Sequence, residues 1–171
     1  DDRFAPAYYE DTDLCFQVRA AGLEVYLQPL SNVVHFEGVS NGTDESSGLK
    51  QYQRENRDKF LAKWRQTLQG FHFANAEHVF AARDRSREQT TVLVIDHYVP
   101  HFDKDAGSRS TYQYLKVLVE LGCRVIFLGD NFYRHEPYTT ALQQLGIEVL
   151  YGETSRRGIK RWLSDNAPYI D

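Results

Sequence analysis

The sequence predicts an α/β protein in two parts, a helix-rich first part and then a doubly wound parallel layer. Three observations predict it. From Thr91 onward, β-branched apolar runs alternate with helical patterns that close on Gly122 and Gly146, giving strand–helix–strand–helix–strand with short connections. Near the start, the acidic stretch Tyr8-Tyr9-Glu10-Asp11-Thr12-Asp13 leads into a helix-like run that stops at Gly22. Between the two, Tyr52, Asn56, Phe60, Trp64 and Leu68 recur at helical spacing, with charged residues on the other faces.

Composition narrows the class. Apolar residues make up 42% and aromatics 13% of 171 residues, enough to build a core, so this is not a disordered chain. The formal net charge of −4 and the absence of a long basic run argue against a nucleic-acid partner. No apolar run reaches the roughly 18 residues that span a bilayer, and no signal peptide opens the sequence. Cys15 and Cys123 fall in different elements and read as small buried thiols, not as a disulfide framework. There is no methionine, the chain opens mid-pattern on Asp1-Asp2-Arg3-Phe4, and a strand is beginning at Pro168-Tyr169-Ile170-Asp171. The expectation is an internal piece of a longer protein.

In order along the chain, Leu14, Val18 and Ala21 mark the apolar side of the first helix. Leu23 to Gln28 alternates like a strand until Pro29, and Val33-Val34 leads into His35-Phe36-Glu37-Gly38-Val39-Ser40. Asn41 to Gly48 reads as a loop, Leu49 to Leu68 as an amphipathic helix whose aromatic stripe is packing, and Gly70 to Ala82 as a shorter helix. The charged run 83–89 reads as a linker. Residues 90–171 then form a second module, with strands at Thr91–Asp96, Cys123–Leu128 and Ile147–Leu150. Its helices run from about Arg109 to Leu121, from Pro137 to Leu145 and around Ile159-Trp162-Leu163, and a polar loop covers Pro100 to Ser108.

Glu10, Asp11 and His35 carry the chemistry. The acids suit a helix start, where they meet orphan N–H groups and the positive end of the dipole. A carboxylate at a helix entry beside a pocket also suits a general base. A neutral imidazole at a strand end is a common ligand of divalent metals, completed by carboxylates, and equally a hydrogen-bonded structural histidine. Both readings stand for both positions.

The run from Phe4 through Glu10-Asp11-Thr12-Asp13-Leu14-Cys15 to Gly22 resembles the second half of family 2 glycosyltransferases of the GT-A fold. Val33-Val34-His35-Phe36-Glu37-Gly38 is similar to that family's histidine segment, and the helix with Asn56-Arg57, Phe60 and Trp64 to the one that follows it. The resemblance implies that Asp11 is the base that deprotonates an acceptor hydroxyl for inverting attack on a nucleotide sugar. It implies that Glu10 helps to hold the acceptor, and that His35 ligates Mn2+ or Mg2+ together with the family's Asp-x-Asp acids. Asp13 and Arg19 read as helix-start and surface-pair residues. The donor-binding half with Asp-x-Asp is absent, so the fragment is expected to be inactive alone.

The second module resembles the opening of the N-terminal Rossmann-like half of family 4 glycosyltransferases of the GT-B fold. The matching features are Val92-Leu93-Val94-Ile95, Asp105-Ala106-Gly107-Ser108-Arg109, and Leu118, Leu121 and Gly122 before Val125. This implies an acceptor-side loop with Gly107, Ser108 and Arg109 as acceptor-binding residues; Gly107 is equally an ordinary loop glycine. Three rivals stand beside it. A dinucleotide enzyme needs G-x-G-x-x-G after the first strand, where Gly107 stands alone. A receiver domain needs a phosphoacceptor Asp where Leu150-Tyr151-Gly152-Glu153 has none. A non-catalytic module that binds glycan or protein remains open.

The expectation is therefore α/β: residues 1–82 as the acceptor-side half of a GT-A domain, 83–89 as linker, and 90–171 as a truncated Rossmann-like βαβαβ module. The resemblance implies a nucleotide-sugar donor, a glycan or lipid-linked acceptor and a role in cell-surface polysaccharide synthesis. It also implies a cytoplasmic location, including one peripheral to the inner face of the membrane.

Overall fold

The computed structural model of the chain describes residues 1–28, 31–34, 48–74 and 77–171. Among the described residues there are seven α-helices and one three-stranded parallel sheet. The chain divides into two compact units, Asp1–Gly70 and Phe71–Asp171.

The first unit is helical. It holds α1 (Glu10–Ala20), α2 (Gln51–Lys63) and α3 (Arg65–Phe71), with 3-10 turns at Asp2–Phe4 and Gly48–Lys50. The aromatic stripe packs as its spacing predicts. Phe60 of α2 is buried and meets Phe4, Tyr9 and Phe16 at ring-centroid distances of 6.5, 5.3 and 5.0 Å. The single helix expected over Leu49–Leu68 breaks at Trp64, whose φ of −102° ends α2 and whose indole turns to bond Asp13 at 2.7 Å.

Asn56 is fully buried on the same face of α2, and its amide donates to the carbonyls of Phe4, Ala7 and Tyr8 at 2.9, 2.8 and 3.2 Å. Lys59 adds a bond to the Arg3 carbonyl at 3.0 Å. The loop before α1 is thus fixed by polar groups of α2. Asn56→Ala strands these carbonyls in a buried site and is expected to lower stability by about 2 kcal/mol in urea unfolding. A loss under about 0.5 kcal/mol, the range of ordinary surface substitutions, would show that the loop holds itself.

The strand expected at Leu23–Gln28 is not formed. Alternation becomes a strand only when a neighbour pairs its N–H and C=O groups, and no described residue does so; Leu23, Tyr26 and Leu27 stay exposed. The segment expected to carry His35, and the loop after it, lie outside the described residues.

The second unit carries α4 (Val79–Ala82), β1 (Thr91–Asp96), α5 (Ala106–Glu120), β2 (Arg124–Gly129), α6 (Tyr138–Gln144), β3 (Glu148–Leu150) and α7 (Gly152–Asn166). The strands lie in the order β1-β2-β3, all parallel, with Thr91 beside Arg124 and Ile126 beside Glu148. The all-apolar run of β2 is buried along its whole length, as a central strand of a parallel sheet requires. Val125 and Phe127 pack with Leu115 of α5, Leu142 of α6 and Val149 of β3, while Ile126 and Leu128 are buried on the opposite face. Gly122 and Gly146 end α5 and α6 with φ of 79° and 84°, a conformation glycine adopts without strain. On the edge of β1 away from β2, Thr91 accepts from the Asp171 amide and donates to its carboxylate, both at 2.9 Å.

The compact units divide earlier than the sequence suggests, because residues 71–89 pack within the second unit. Phe80 is buried against Trp162 and Tyr169. The charged run that reads as a linker is tied to the sheet: Asp84 takes Arg124 at 2.6 Å, and Arg83 reaches Glu148 at 2.5 Å. Arg124, nearly buried, also lies 4.1 Å over the Phe80 ring. In a charged run, pairing with distant partners is invisible to composition. Arg124→Ala removes this junction and leaves Asp84 and Glu148 without their shared cation. It is expected to cost about 2 kcal/mol, discounted from a fully buried pair because both acids keep some solvent. Unfolding monitored at Trp162, which packs on Phe80, measures it.

Candidate functional site

Glu10 and Asp11 form the first turn of α1, where acids favour the positive end of the helix dipole. The residue before them, Tyr9, caps the helix with no side-chain bond. Tyr8 and Tyr9 both have left-handed backbones, φ 71° and 72°, uncommon for residues with a Cβ and strained for bulky ones. Asn56 holds the carbonyls of Ala7 and Tyr8, and the Tyr9 ring lies on Phe60, so α2 sustains this conformation. The outcome is that both acids are exposed. Asp11 accepts only from Thr12, at 2.6 Å from its amide and 3.3 Å from its hydroxyl, and Glu10 has no partner among the described residues.

Asp13 lies in the first turn of α1, as expected of a helix-start residue, but unlike its neighbours it is turned inward. It is fully buried and accepts from Trp64 Nε1 at 2.7 Å, from Lys63 Nζ at 2.7 and 2.8 Å, and from Gln17. Burial alone would raise its carboxyl, but the bonds from Lys63, Trp64 and Gln17 outweigh it and hold the group below the usual carboxylate range. Arg19 is not a surface pair; it is half-buried, its Nε without a partner among the described residues. Of the three acids in the motif, Asp13 is tied to distant residues, whereas the described contacts of Glu10 and Asp11 are confined to the start of α1.

His35 lies outside the described residues, and among the described residues no group of three His, Cys, Asp or Glu side chains is placed to hold a metal ion.

In the second unit, Gly107, Ser108 and Arg109 sit inside α5 rather than in the loop before it, because Asp105 caps the helix earlier than expected. Its carboxylate takes the Ser108 amide at 2.7 Å and the Ser108 hydroxyl at 2.6 Å, and it stays below its usual range because of these bonds. A Cβ on Gly107 would come within 3.3 Å of that carboxylate, so the glycine makes room for the cap. Ser108 is buried with both donors occupied, and Arg109 is exposed, its Nε on the Phe102 carbonyl at 3.3 Å. The signal for the earlier start was present in Asp105 itself, a favoured N-cap residue whose carboxylate reaches the amide three residues on.

Sequence reasoning singled out Asn56 and Asp105 but not the carbonyl-binding role of the first or the capping role of the second, and it missed the histidines His97, His101 and His135. The histidines follow the carboxyl ends of β1 and β2, places distant in sequence that parallel pairing brings together. Among the described residues no helix is long and apolar enough to cross a membrane. No family model, no curated protein and no solved structure matches this chain.

Proposed function

We propose that this chain is part of a glycosyltransferase that moves a sugar from a nucleotide-sugar donor to a glycan or lipid-linked acceptor, in cell-surface polysaccharide synthesis. The first compact unit, Asp1–Gly70, serves as the acceptor-side half of a GT-A domain. One observation carries the reading: the polar network of buried Asp13 and Asn56 with half-buried Lys63 maintains a strained approach to α1 and leaves Glu10 and Asp11 exposed, with no tertiary partner among the described residues. Strain maintained by surrounding packing is characteristic of functional sites.

In this mechanism a carboxylate oxygen of Asp11 takes the proton of the acceptor hydroxyl as the hydroxyl's own oxygen attacks the anomeric carbon of the donor sugar. The bond to the nucleoside diphosphate breaks on the opposite side, and the anomeric configuration inverts. Glu10 accepts a hydrogen bond from a second acceptor hydroxyl and orients the sugar. The role of His35 with Mn2+ or Mg2+ rests on the resemblance alone. The test is sugar transfer by this chain joined to a donor-binding half, for wild type and Asp11→Asn of equal stability. Undiminished transfer by the variant leaves Glu10 and Asp11 as helix-start acids.

Residues 90–171 serve as the opening of a GT-B-type Rossmann-like module on the acceptor side. A second reading, a non-catalytic glycan- or protein-binding module, is favoured by one observation: Asp105 already occupies the first-turn donors of α5 that a substrate would use.

A further inference from the structure

We infer that the aromatic cluster at the carboxyl ends of β1 and β2 binds an uncharged saccharide ring, stacked on Tyr133 and Tyr98 and hydrogen-bonded to His101 and His135. The choice of a sugar over other hydroxyl-rich rings rests on the glycosyltransferase reading; the site itself rests on geometry. Ligands of open parallel sheets bind beyond the carboxyl ends of the strands, and here the two loops meet closely. Gly129 allows it, since a Cβ there would lie 3.3 Å from the Tyr98 Cα.

Tyr98 and His101 follow β1, and Tyr133 and His135 follow β2. His101 meets His135 edge to face at 4.7 Å, Tyr98 at 5.2 Å, and Tyr133 meets His135 at 4.7 Å. Tyr138 stacks on His101 at 4.4 Å and donates its hydroxyl to Asp103 at 2.6 Å, which fixes the His101 ring. Within this cluster His101 Nε2 is buried and has no hydrogen-bond partner among the described residues. Such an atom weakens the fold until something bonds it. Tyr133, by contrast, is 64% exposed, an aromatic face open to solvent.

The surrounding charges select a neutral ligand. His97 pairs with Asp130 at 3.1 Å, and Asp103 and Asp105 are held ionised by their bonds from Tyr138 and Ser108. Lys104 acts on Asp103, and Arg134, between Tyr133 and His135, pairs with Glu136 at 2.6 Å, so charges of both signs flank the cluster and neither an anion nor a cation is favoured, while the carboxylates accept hydroxyl groups. Burial, and then the neighbouring His101, hold His135 below the ordinary imidazole range, so it is neutral at pH 7; its Nε2 faces the Asn131 amide nitrogen at 3.4 Å as acceptor, which leaves Nδ1–H as the donor for a ligand. An aromatic face beside neutral imidazoles and carboxylates matches the alternating C–H face and hydroxyl rim of a pyranose.

The experiment is NMR of the full chain, following the His101, His135 and Tyr133 ring signals. Neutral methyl glycosides of glucose, galactose, mannose and rhamnose are added at millimolar concentration, with glucuronate, inorganic phosphate and uridine as comparisons. At least one neutral glycoside is expected to shift these signals saturably. Tyr133→Ala and His101→Phe are each expected to weaken it about tenfold. His101→Phe keeps the ring and removes the orphaned nitrogen, so its stability should hold or rise while binding falls, which a purely structural histidine would not produce. Response to glucuronate, phosphate or uridine alone, no response to any glycoside, or unchanged binding by His101→Phe overturns the proposal. Transfer is not read in this experiment and Asp11 is untouched, so its failure is distinct from failure of the base assignment.

Discussion

Asp11→Asn is expected to lower sugar transfer by about 100-fold or more, the contribution of a positioned general base, with little effect on folding. The two expectations follow from the same geometry. Among the described residues the Asp11 carboxylate bonds Thr12 alone, and an asparagine oxygen accepts those bonds equally well. What disappears is one charge at a helix start, about 1 kcal/mol at most on an exposed turn. The basicity disappears entirely. The assay compares single-turnover transfer for wild type, Asp11→Asn and Asp58→Asn, the last an exposed acid of α2 paired with its neighbour Arg57. Glu10→Gln should raise the acceptor KM more than it lowers kcat, since its role is to hold and not to deprotonate. If Asp11→Asn transfers within about threefold of wild type, less than any general-base contribution, the carboxylate is not the base.

The second unit was legible in the sequence because its signals are local. Continuous β-branched runs became β1 and β2, and Gly122 and Gly146 ended their helices where expected. Errors there were of boundary: Asp105 starts α5 earlier because capping outweighs the loop-like composition around Gly107. The first unit was legible in its helices and in the Phe60 stripe, but not at Leu23–Gln28, where alternation had no partner strand among the described residues. The site was only half legible for the same reason. Glu10, Asp11 and Asp13 look equivalent as letters. Their separation into exposed and buried acids depends on Lys63 and Trp64, which only tertiary structure brings to Asp13. The orphaned nitrogen of His101 likewise exists only once two strand ends are adjacent.

Asp13→Ala is expected to destabilise the chain by about 3 kcal/mol, the low end for removing one partner of a buried pair. The low end applies because Lys63 keeps a second acid, Asp1, at 2.6 Å, while the Trp64 N–H and the Gln17 amide lose their acceptor outright. Asp13→Asn should fall between the two, since its oxygen still accepts from Trp64 but carries no charge for Lys63. The pH dependence separates charge from packing. A carboxyl held below its unfolded value contributes stability that is complete above the unfolded pKa, about 4, and is lost as pH falls through the folded value. Wild type should therefore lose this contribution only on the acid side of about pH 4, and Asp13→Asn should lack that component. The Trp64 indole N–H reports the bond directly by NMR and hydrogen exchange, with Trp162 as the internal reference in the other unit. Protection of the Trp64 indole should vanish in Asp13→Ala at neutral pH and decay in wild type only in acid. An Asp13→Ala protein within about 1 kcal/mol of wild type, as an ordinary substitution would be, would mean that the aromatic stripe alone holds α1 on α2. The strained approach to Glu10 and Asp11 would then stand without polar support.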